Sequence, residues 1–146
     1  MPAVIRLRVP GALKFRDLAV RAVAAACKLV GPDGNGASAH HTREFDDQVV
    51  SAFGEAFNNA ALHSYRGADG DVEIQIELGA DFITIRLLDF GRAFAFDDVP
   101  EPDLDALPES GLGIYIIKSF MDEVRYEPGA PNVLSMTKTM RPGGGP

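Results

Sequence analysis

The chain has 146 residues, of which 46% are hydrophobic and 24% charged, and its formal net charge is −7 at pH 7. This length and composition predict one soluble domain that buries a core without disulfides or metals. The negative charge argues against wholesale nucleic-acid binding, which needs a basic face. The longest apolar run, near residues 22–26, is far too short to cross a bilayer. No secretory signal pattern is present and there is one cysteine, so we expect a cytoplasmic protein.

The chain begins with a predicted strand and a predicted helix. Residues 4–9 alternate apolar and basic side chains, which indicates a short strand. Residues 13–30 confine their polar side chains to one narrow arc, so we expect a largely buried helix with Cys27 as a structural thiol. The loop that follows carries His40 and His41, which invite a metal interpretation. Because no second ligand cluster accompanies them, we expect two solvated loop residues instead.

A second helix, predicted from Thr42 as N-cap to about Ser64, carries the first candidate site residues. Glu55 and Asn59 are four residues apart and therefore lie one above the other on the helix. They fall at the border of the apolar arc, whose members are Phe45, Val49, Phe53, Ala56 and Ala60. On spacing alone, two solvated surface residues are the safer interpretation. The alternative is a polar pair that faces a ligand at the edge of the core.

The second half of the chain alternates regular segments with one long loop. In order, the sequence predicts two strands that form a hairpin, a helix and two more strands, at residues 71–78, 82–88, 113–120, 124–127 and 133–139. Between Asp89 and Gly111 the chain has no periodicity and carries three prolines and six acidic residues. A loop of this length in a compact domain is usually functional. The order of helices and strands predicts a two-layer α/β sandwich.

Two glycine features flank the long loop. Gly91, two residues after Asp89, lets the backbone approach a ligand where a side chain would obstruct it. Gly111 and Gly113 stand at the predicted N-terminus of a helix, where unpaired N–H groups and the helix dipole favour phosphate. A lone Gly-x-Gly is weak evidence, because glycines cap and turn many helices. The sequence has no Gly-Lys-Ser/Thr and therefore no Walker loop.

Taken in order, these features resemble the GHKL ATPase superfamily, the gyrase, Hsp90, histidine kinase and MutL type. The most specific segments are EAFNNAALHSY and ESGLGIYIIKSFMDEV, and they are most similar to the small anti-sigma factor serine kinases. The resemblance runs from about residue 4 to residue 138. It implies a Bergerat-type ATP-binding fold, an α/β (α+β) two-layer sandwich with a mixed, mostly antiparallel sheet and helices on one face. It also implies a single histidine-kinase-like ATPase domain at 1–140 and a flexible tail at 141–146.

The resemblance further implies roles for the candidate residues, with ATP and Mg²⁺ as cofactors. Glu55 would be the catalytic residue, orienting a water or accepting the proton of an attacking hydroxyl. Asn59 would place its amide oxygen on Mg²⁺. Asp89 would accept a hydrogen bond from the exocyclic amine of adenine. The other ATP-binding residues would be Gly91, Ala93, Ser110, Gly111, Leu112 and Gly113, with the long loop as a lid, and His63 would have a packing role.

The sequence departs from the family pattern at three positions. Ala93 replaces the second glycine of Asp-x-Gly-x-Gly, and Glu109 stands where relatives often carry a basic residue. An alignment through the final turn places Val133 where relatives often have a threonine near the adenine. Since phosphoryl transfer relies on positive charge near the phosphates, these departures put catalysis in question and leave nucleotide binding credible.

Two functions therefore remain open. The first is a serine/threonine-protein kinase that phosphorylates a small antagonist protein of the anti-anti-sigma, STAS type and sequesters a sigma factor by partner switching. The alternative is a non-catalytic, nucleotide-dependent protein-binding module. The resemblance also leads us to expect a homodimer, and we expect neither nucleic acid nor membrane as a partner.

Overall fold

A computed structural model describes residues 2–31, 41–64, 70–93 and 109–140, apart from the side chains of 63–64 and 109–111. In these ranges five strands form one sheet and three α-helices pack on it. In chain order they are β1 (Ala3–Pro10), α1 (Arg16–Cys27), α2 (Arg43–Asn59), β2 (Asp71–Leu78), β3 (Phe82–Asp89), α3 (Glu109–Phe120), β4 (Glu123–Glu127) and β5 (Asn132–Thr139). A 3-10 turn, Leu13–Phe15, precedes α1, and a π-helical turn, Ala60–Ser64, extends α2.

The sheet has the order β1-β2-β3-β5-β4, and all four described pairings are antiparallel. This agrees with the mostly antiparallel sheet that we expected, and no parallel pairing occurs among the described strands. Strict alternation along β2 buries one face of the sheet, because successive side chains of a strand point to opposite sides. The inward-facing side chains share one core with the three helices, which confirms the two-layer α/β sandwich with helices on one face.

Helix α2 is the centre of the helix layer. It packs against α1 and α3 and contacts β3 and β5. Thr42 is its N-cap, as predicted: the Phe45 N–H donates to Thr42 Oγ1 at 3.1 Å. Every residue of the predicted apolar arc is buried. Phe53 and Phe57 are fully buried, and each such side chain stabilises the fold by about 1.5–3 kcal/mol.

The helix boundaries differ from the predicted ones. Helix α1 ends at Cys27 rather than at residue 30. Helix α3 begins at Glu109, four residues before the predicted start at Gly113. An acidic residue is favourable in a first helical turn because it faces the positive end of the helix dipole. The penalty of about 1 kcal/mol for each interior glycine does not stop this helix, whose following turns bury Ile114 and Ile117 in the core.

His41 is not the solvated loop residue that we expected. Its Nε2 lies 2.7 Å from Asp46 Oδ1, and Lys28 Nζ lies 3.2 Å from Asp46 Oδ2. The physical reason is the burial of Asp46 in the first turn of α2, since a buried carboxylate must be paired. His40 lies outside the described residues. No metal-binding group of three or more His, Cys, Asp or Glu occurs in the described ranges.

Cys27 is buried, as predicted. Burial, with a smaller contribution from the Asp46 carboxylate, raises the pKa of its thiol to about 12. The thiol is therefore neutral at physiological pH and behaves as a small apolar side chain. Of the helices described, none is long and apolar enough to span a membrane.

Candidate functional site

Glu55 and Asn59 lie on the last turns of α2, and both are half-buried at the border of the core. The amide nitrogen of Asn59 is buried and has no hydrogen-bond partner in the described structure. A buried donor without a partner costs about 1–3 kcal/mol, so an isolated protein has no reason to place it there. Rotation of the amide exchanges its nitrogen and oxygen, and the side chain can therefore offer a donor to an anion or an acceptor to a cation.

Glu55 faces the backbone of α3. A Cβ built on Gly113 would lie 2.8 Å from Glu55 Oε2, which is closer than a methyl group and a carboxylate oxygen can pack, and at an ordinary contact distance of 3.7 Å from Glu55 Cβ. The absence of a side chain at Gly113 thus leaves room for the Glu55 carboxylate in this position. Two of the predicted site residues, far apart in sequence, are brought together here.

The N-terminus of α3 supplies backbone donors. In an α-helix the N–H groups of the first turn have no intrahelical partner, and in α3 these belong to Glu109, Ser110 and Gly111. Leu112 and Gly113 follow them in the helix. Because α3 begins at Glu109, the predicted phosphate-contacting residues fall into two groups. Ser110 and Gly111 can donate N–H groups to a ligand, whereas Leu112 and Gly113 lie beyond the first turn, where N–H groups bond within the helix.

Asp89 is the last residue of β3 and is 4% exposed. Its Oδ1 accepts two hydrogen bonds, from the Gly91 N–H at 3.0 Å and from Asn132 Nδ2 at 2.9 Å. From the residues that the structure describes, Oδ2 accepts none. A buried carboxylate with one oxygen saturated and the other available can accept a hydrogen bond from a ligand.

Asn132 is a candidate site residue that the sequence pattern did not indicate. The predicted strand begins at residue 133, whereas the structure makes Asn132 the first residue of β5 and the cross-strand neighbour of Asp89. Val133, which the alignment placed near the adenine, pairs with Leu88 on the opposite face of the sheet, so that expectation is wrong. The signal available in the sequence was the two-residue period of a strand that starts at Asn132.

The remaining predicted site residues lie around this cluster or beyond the described part. Both backbone polar groups of Gly91 are engaged, since its N–H donates to Asp89 and its carbonyl accepts from Asn132 Nδ2 at 2.9 Å. Ala93 is exposed. Residues 94–108 of the predicted lid lie outside the described residues, as do the side chains of His63, Glu109 and Ser110.

The family profile described as histidine kinase-like ATPase domain matches residues 17–138. Since this match covers most of the chain, the chain belongs to the histidine kinase-like ATPase domain family. The resemblance to the GHKL superfamily that the sequence motifs indicated is confirmed.

Similar proteins include several serine-protein kinases. RsbW of Bacillus subtilis (strain 168) is 33% identical over 104 residues, which span 65% of this chain and 64% of that protein. RsbW of Staphylococcus aureus is 30% identical over 141 residues, which span 87% of each. The chain thus covers somewhat less than two thirds of the first of these relatives.

Among solved structures, the histidine kinase domain of the blue-light activated histidine kinase from Erythrobacter litoralis EL346 is similar in fold. The TM-score is 0.57 at 17% sequence identity, and the match covers 86% of this chain and 61% of that chain. At this identity the similarity supports the fold alone.

Proposed function

We propose that the chain is an ATP- and Mg²⁺-binding serine/threonine-protein kinase of the anti-sigma factor type. It would phosphorylate a Ser or Thr of a small STAS-type antagonist and, in the other state of the switch, hold a sigma factor, as a cytoplasmic homodimer. The observation that carries the proposal is the buried Asp89 carboxylate at the end of β3, whose Oδ2 is available to a ligand. The chain belongs to a family described as an ATPase domain, which makes ATP the expected ligand. The naming of several relatives as serine-protein kinases supports the kinase activity.

Base recognition would occur at Asp89. Adenine carries an amino donor at the position where guanine carries a carbonyl acceptor. A carboxylate oxygen attracts the first and repels the second, so Oδ2 would select adenine. Gly91 would leave room for the base next to this carboxylate.

The phosphates and the cation would lie toward α2 and α3. Mg²⁺ in nucleotide sites is commonly held by one or two protein oxygens together with phosphate oxygens, and the cation supplies charge neutralisation. The Asn59 amide fits this donor set, because it is polar, at the edge of the core and its nitrogen has no partner among the described residues. The N–H groups of Ser110 and Gly111 would bind phosphate oxygens, with Leu112 and Gly113 lining the helix behind them and Ala93 at the mouth.

Glu55 would act as the base toward the attacking hydroxyl. Its carboxylate lies against Gly113, one turn from the first N–H groups of α3, and a carboxylate near the acceptor hydroxyl can take its proton. We expect Glu55→Gln to abolish phosphoryl transfer while leaving ATP affinity within about threefold, because the amide is isosteric but not basic.

The second candidate, a non-catalytic nucleotide-dependent binding module, is favoured by one observation. Glu109 is the first residue of α3, so a negative charge enters the turn that would bind phosphates. An acidic residue there opposes the stabilisation of a developing anion unless a partner supplies an arginine.

Incubation with labelled ATP, Mg²⁺ and candidate STAS-type antagonists tests the proposal. We expect labelled phosphoserine or phosphothreonine on the antagonist with the wild-type chain and none with Glu55→Gln. Asn58→Ala is the control, because it changes a half-buried residue of the same helix outside the proposed site, and it should label the antagonist as the wild-type chain does. Binding of ATP without any phosphoprotein would reject the kinase in favour of the binding module, and absence of ATP binding would reject both.

A further inference from the structure

The carboxylate of Asp89 is held by a hydrogen-bond cluster whose polarity can have only one direction. Asn132 Nδ2 donates to the Gly91 carbonyl at 2.9 Å, and a carbonyl can only accept. Asn132 Oδ1 accepts from the Gly129 N–H at 2.9 Å, and an N–H can only donate. Both ends of the Asn132 amide are thus fixed by backbone groups, and Nδ2 must present a donor to Asp89.

This constraint determines which oxygen of Asp89 faces a ligand. The Asn132 and Gly91 donors both reach Oδ1, at 2.9 and 3.0 Å. The carboxylate cannot rotate without losing both bonds, so Oδ2 stays as the acceptor left for a ligand. Because asparagine is neutral, it orients the carboxylate without neutralising its charge.

Packing does not explain a polar pair at this position. Asp89 and Asn132 are cross-strand neighbours on the helix-facing side of the sheet. The two preceding pairs on that side are apolar, Leu87 with Leu134 and Ile85 with Met136. Asn132 is 1% exposed, and a buried amide is tolerated only because each of its polar atoms is bonded.

We propose that Asn132 is a positioning residue that determines base selectivity by locking Asp89 with Oδ2 toward the base. The inference rests on the proposed nucleotide site and identifies the residue that makes it selective. A carboxylate that can turn offers its two oxygens in several directions and admits water beside the base. The binding free energies of a base with an amino group and of a base with a carbonyl group facing Asp89 then become more similar. Asn132 also links the β4–β5 turn, through Gly129, to the loop that contacts the base.

A matched pair of substitutions tests this role. Asn132→Thr and Asn132→Val introduce side chains of nearly the same shape, both favourable at the start of a strand. Threonine retains one hydroxyl donor for Asp89 Oδ1, and valine retains none. The change of side-chain shape and the loss of the amide group are common to both variants and cancel in the comparison.

The measured quantity is the ratio of the dissociation constants of GTP and ATP, obtained by calorimetry with Mg²⁺. We expect Asn132→Thr to keep the wild-type ratio within about threefold. We expect Asn132→Val to lower it about tenfold or more, the usual effect of losing one hydrogen bond to a charged group. Thr84→Val is the control, because Thr84 bonds Thr137 at 2.8 Å on the other face of the same sheet. This control should leave the ratio unchanged.

Equal ratios for the threonine and valine variants would overturn the inference while ATP binding by the wild-type chain still supports the proposed function. Failure of the wild-type chain to bind ATP would overturn both. The wild-type chain provides a second readout that does not depend on the variants. The side-chain amide resonances of Asn132 should shift on addition of ATP and stay in place with GTP at equal concentration. Unchanged resonances with saturating ATP would also overturn the inference.

Discussion

The two ends of the candidate site differ in how far the protein satisfies its own polar groups. At the sheet end, Asp89, Gly91 and Asn132 are joined by a closed set of hydrogen bonds around one available carboxylate oxygen. At the helix end, Asn59 has a buried nitrogen with no described partner. In the proposed function the first end is built before any ligand arrives, and the second would be completed by one. We infer that contacts with the base determine which nucleotide binds, and that contacts with the phosphates and the cation determine the state of the proposed switch.

The largest expected effect is a loss of ATP affinity at the sheet end of the site. In Asp89→Asn, the amide oxygen can still accept the two bonds from Gly91 and Asn132, which turns its NH₂ group toward the adenine amine. Two donors then face each other, and we expect ATP affinity to fall about 100-fold or more, as for a lost charged hydrogen bond plus a repulsive contact. Calorimetric titration measures this. An unchanged dissociation constant would remove Asp89 from the site.

The next effect separates binding from stability at the helix end. Asn59→Ala should weaken ATP binding about tenfold or more in the presence of Mg²⁺, because an oxygen ligand is lost. It should have little effect when Mg²⁺ is chelated. Since the removed nitrogen has no partner, the free energy of unfolding should stay the same or rise by about 1 kcal/mol. Denaturant titration measures the second quantity, and Asn58→Ala, the matched control, should leave nucleotide affinity intact. A parallel loss of stability and affinity would contradict the inference that Asn59 serves the ligand rather than the fold.

A smaller effect concerns the contact between α2 and α3. Gly113→Ala should destabilise the fold by about 1 kcal/mol, the lower end for overpacking, because its Cβ would lie 2.8 Å from Glu55 Oε2, the end of a flexible side chain that can move aside. In the Glu55→Ala background the same change should be neutral or stabilising by up to about 1 kcal/mol, since alanine is the better helix former. A double-mutant cycle measures the difference. Equal effects in both backgrounds would mean that Glu55 does not lie against Gly113.

The smallest expected effect concerns Cys27 in α1 and tests whether the helix layer stays closed in the folded protein. Burial raises the Cys27 pKa from 9.0 to about 12, so between these pH values the unfolded chain has lost the thiol proton that the folded chain retains. Stability should therefore fall as pH rises through this range. Between pH 8 and 10 the free energy of unfolding should drop by about 1 kcal/mol more in wild type than in Cys27→Ala. Parallel curves would indicate that the layer opens and exposes the thiol in the folded state.

Much of the fold could be predicted because its signals are local. The alternation along β2, the apolar arc of α2 and the Thr42 cap each depend on neighbours within one or two turns. The border position of Glu55 and Asn59 follows from the same arc. The close approach of backbone to ligand that the spacing of Asp89 and Gly91 indicates stays a prediction.

Sequence patterns alone therefore predicted the elements, the family and most of the residues proposed for the site. The partners of these residues depend on tertiary contacts. Asn132 lies 43 positions from Asp89, and their pairing depends on the register of β3 and β5, which a shift of one residue would reverse. Likewise, His41 bonds Asp46 because the packing of α1 against α2 buries that carboxylate, which the exposed Lys28, 18 positions away, also contacts. Such contacts are set by long-range packing, because their free energy arises only when distant segments exclude water from the same place.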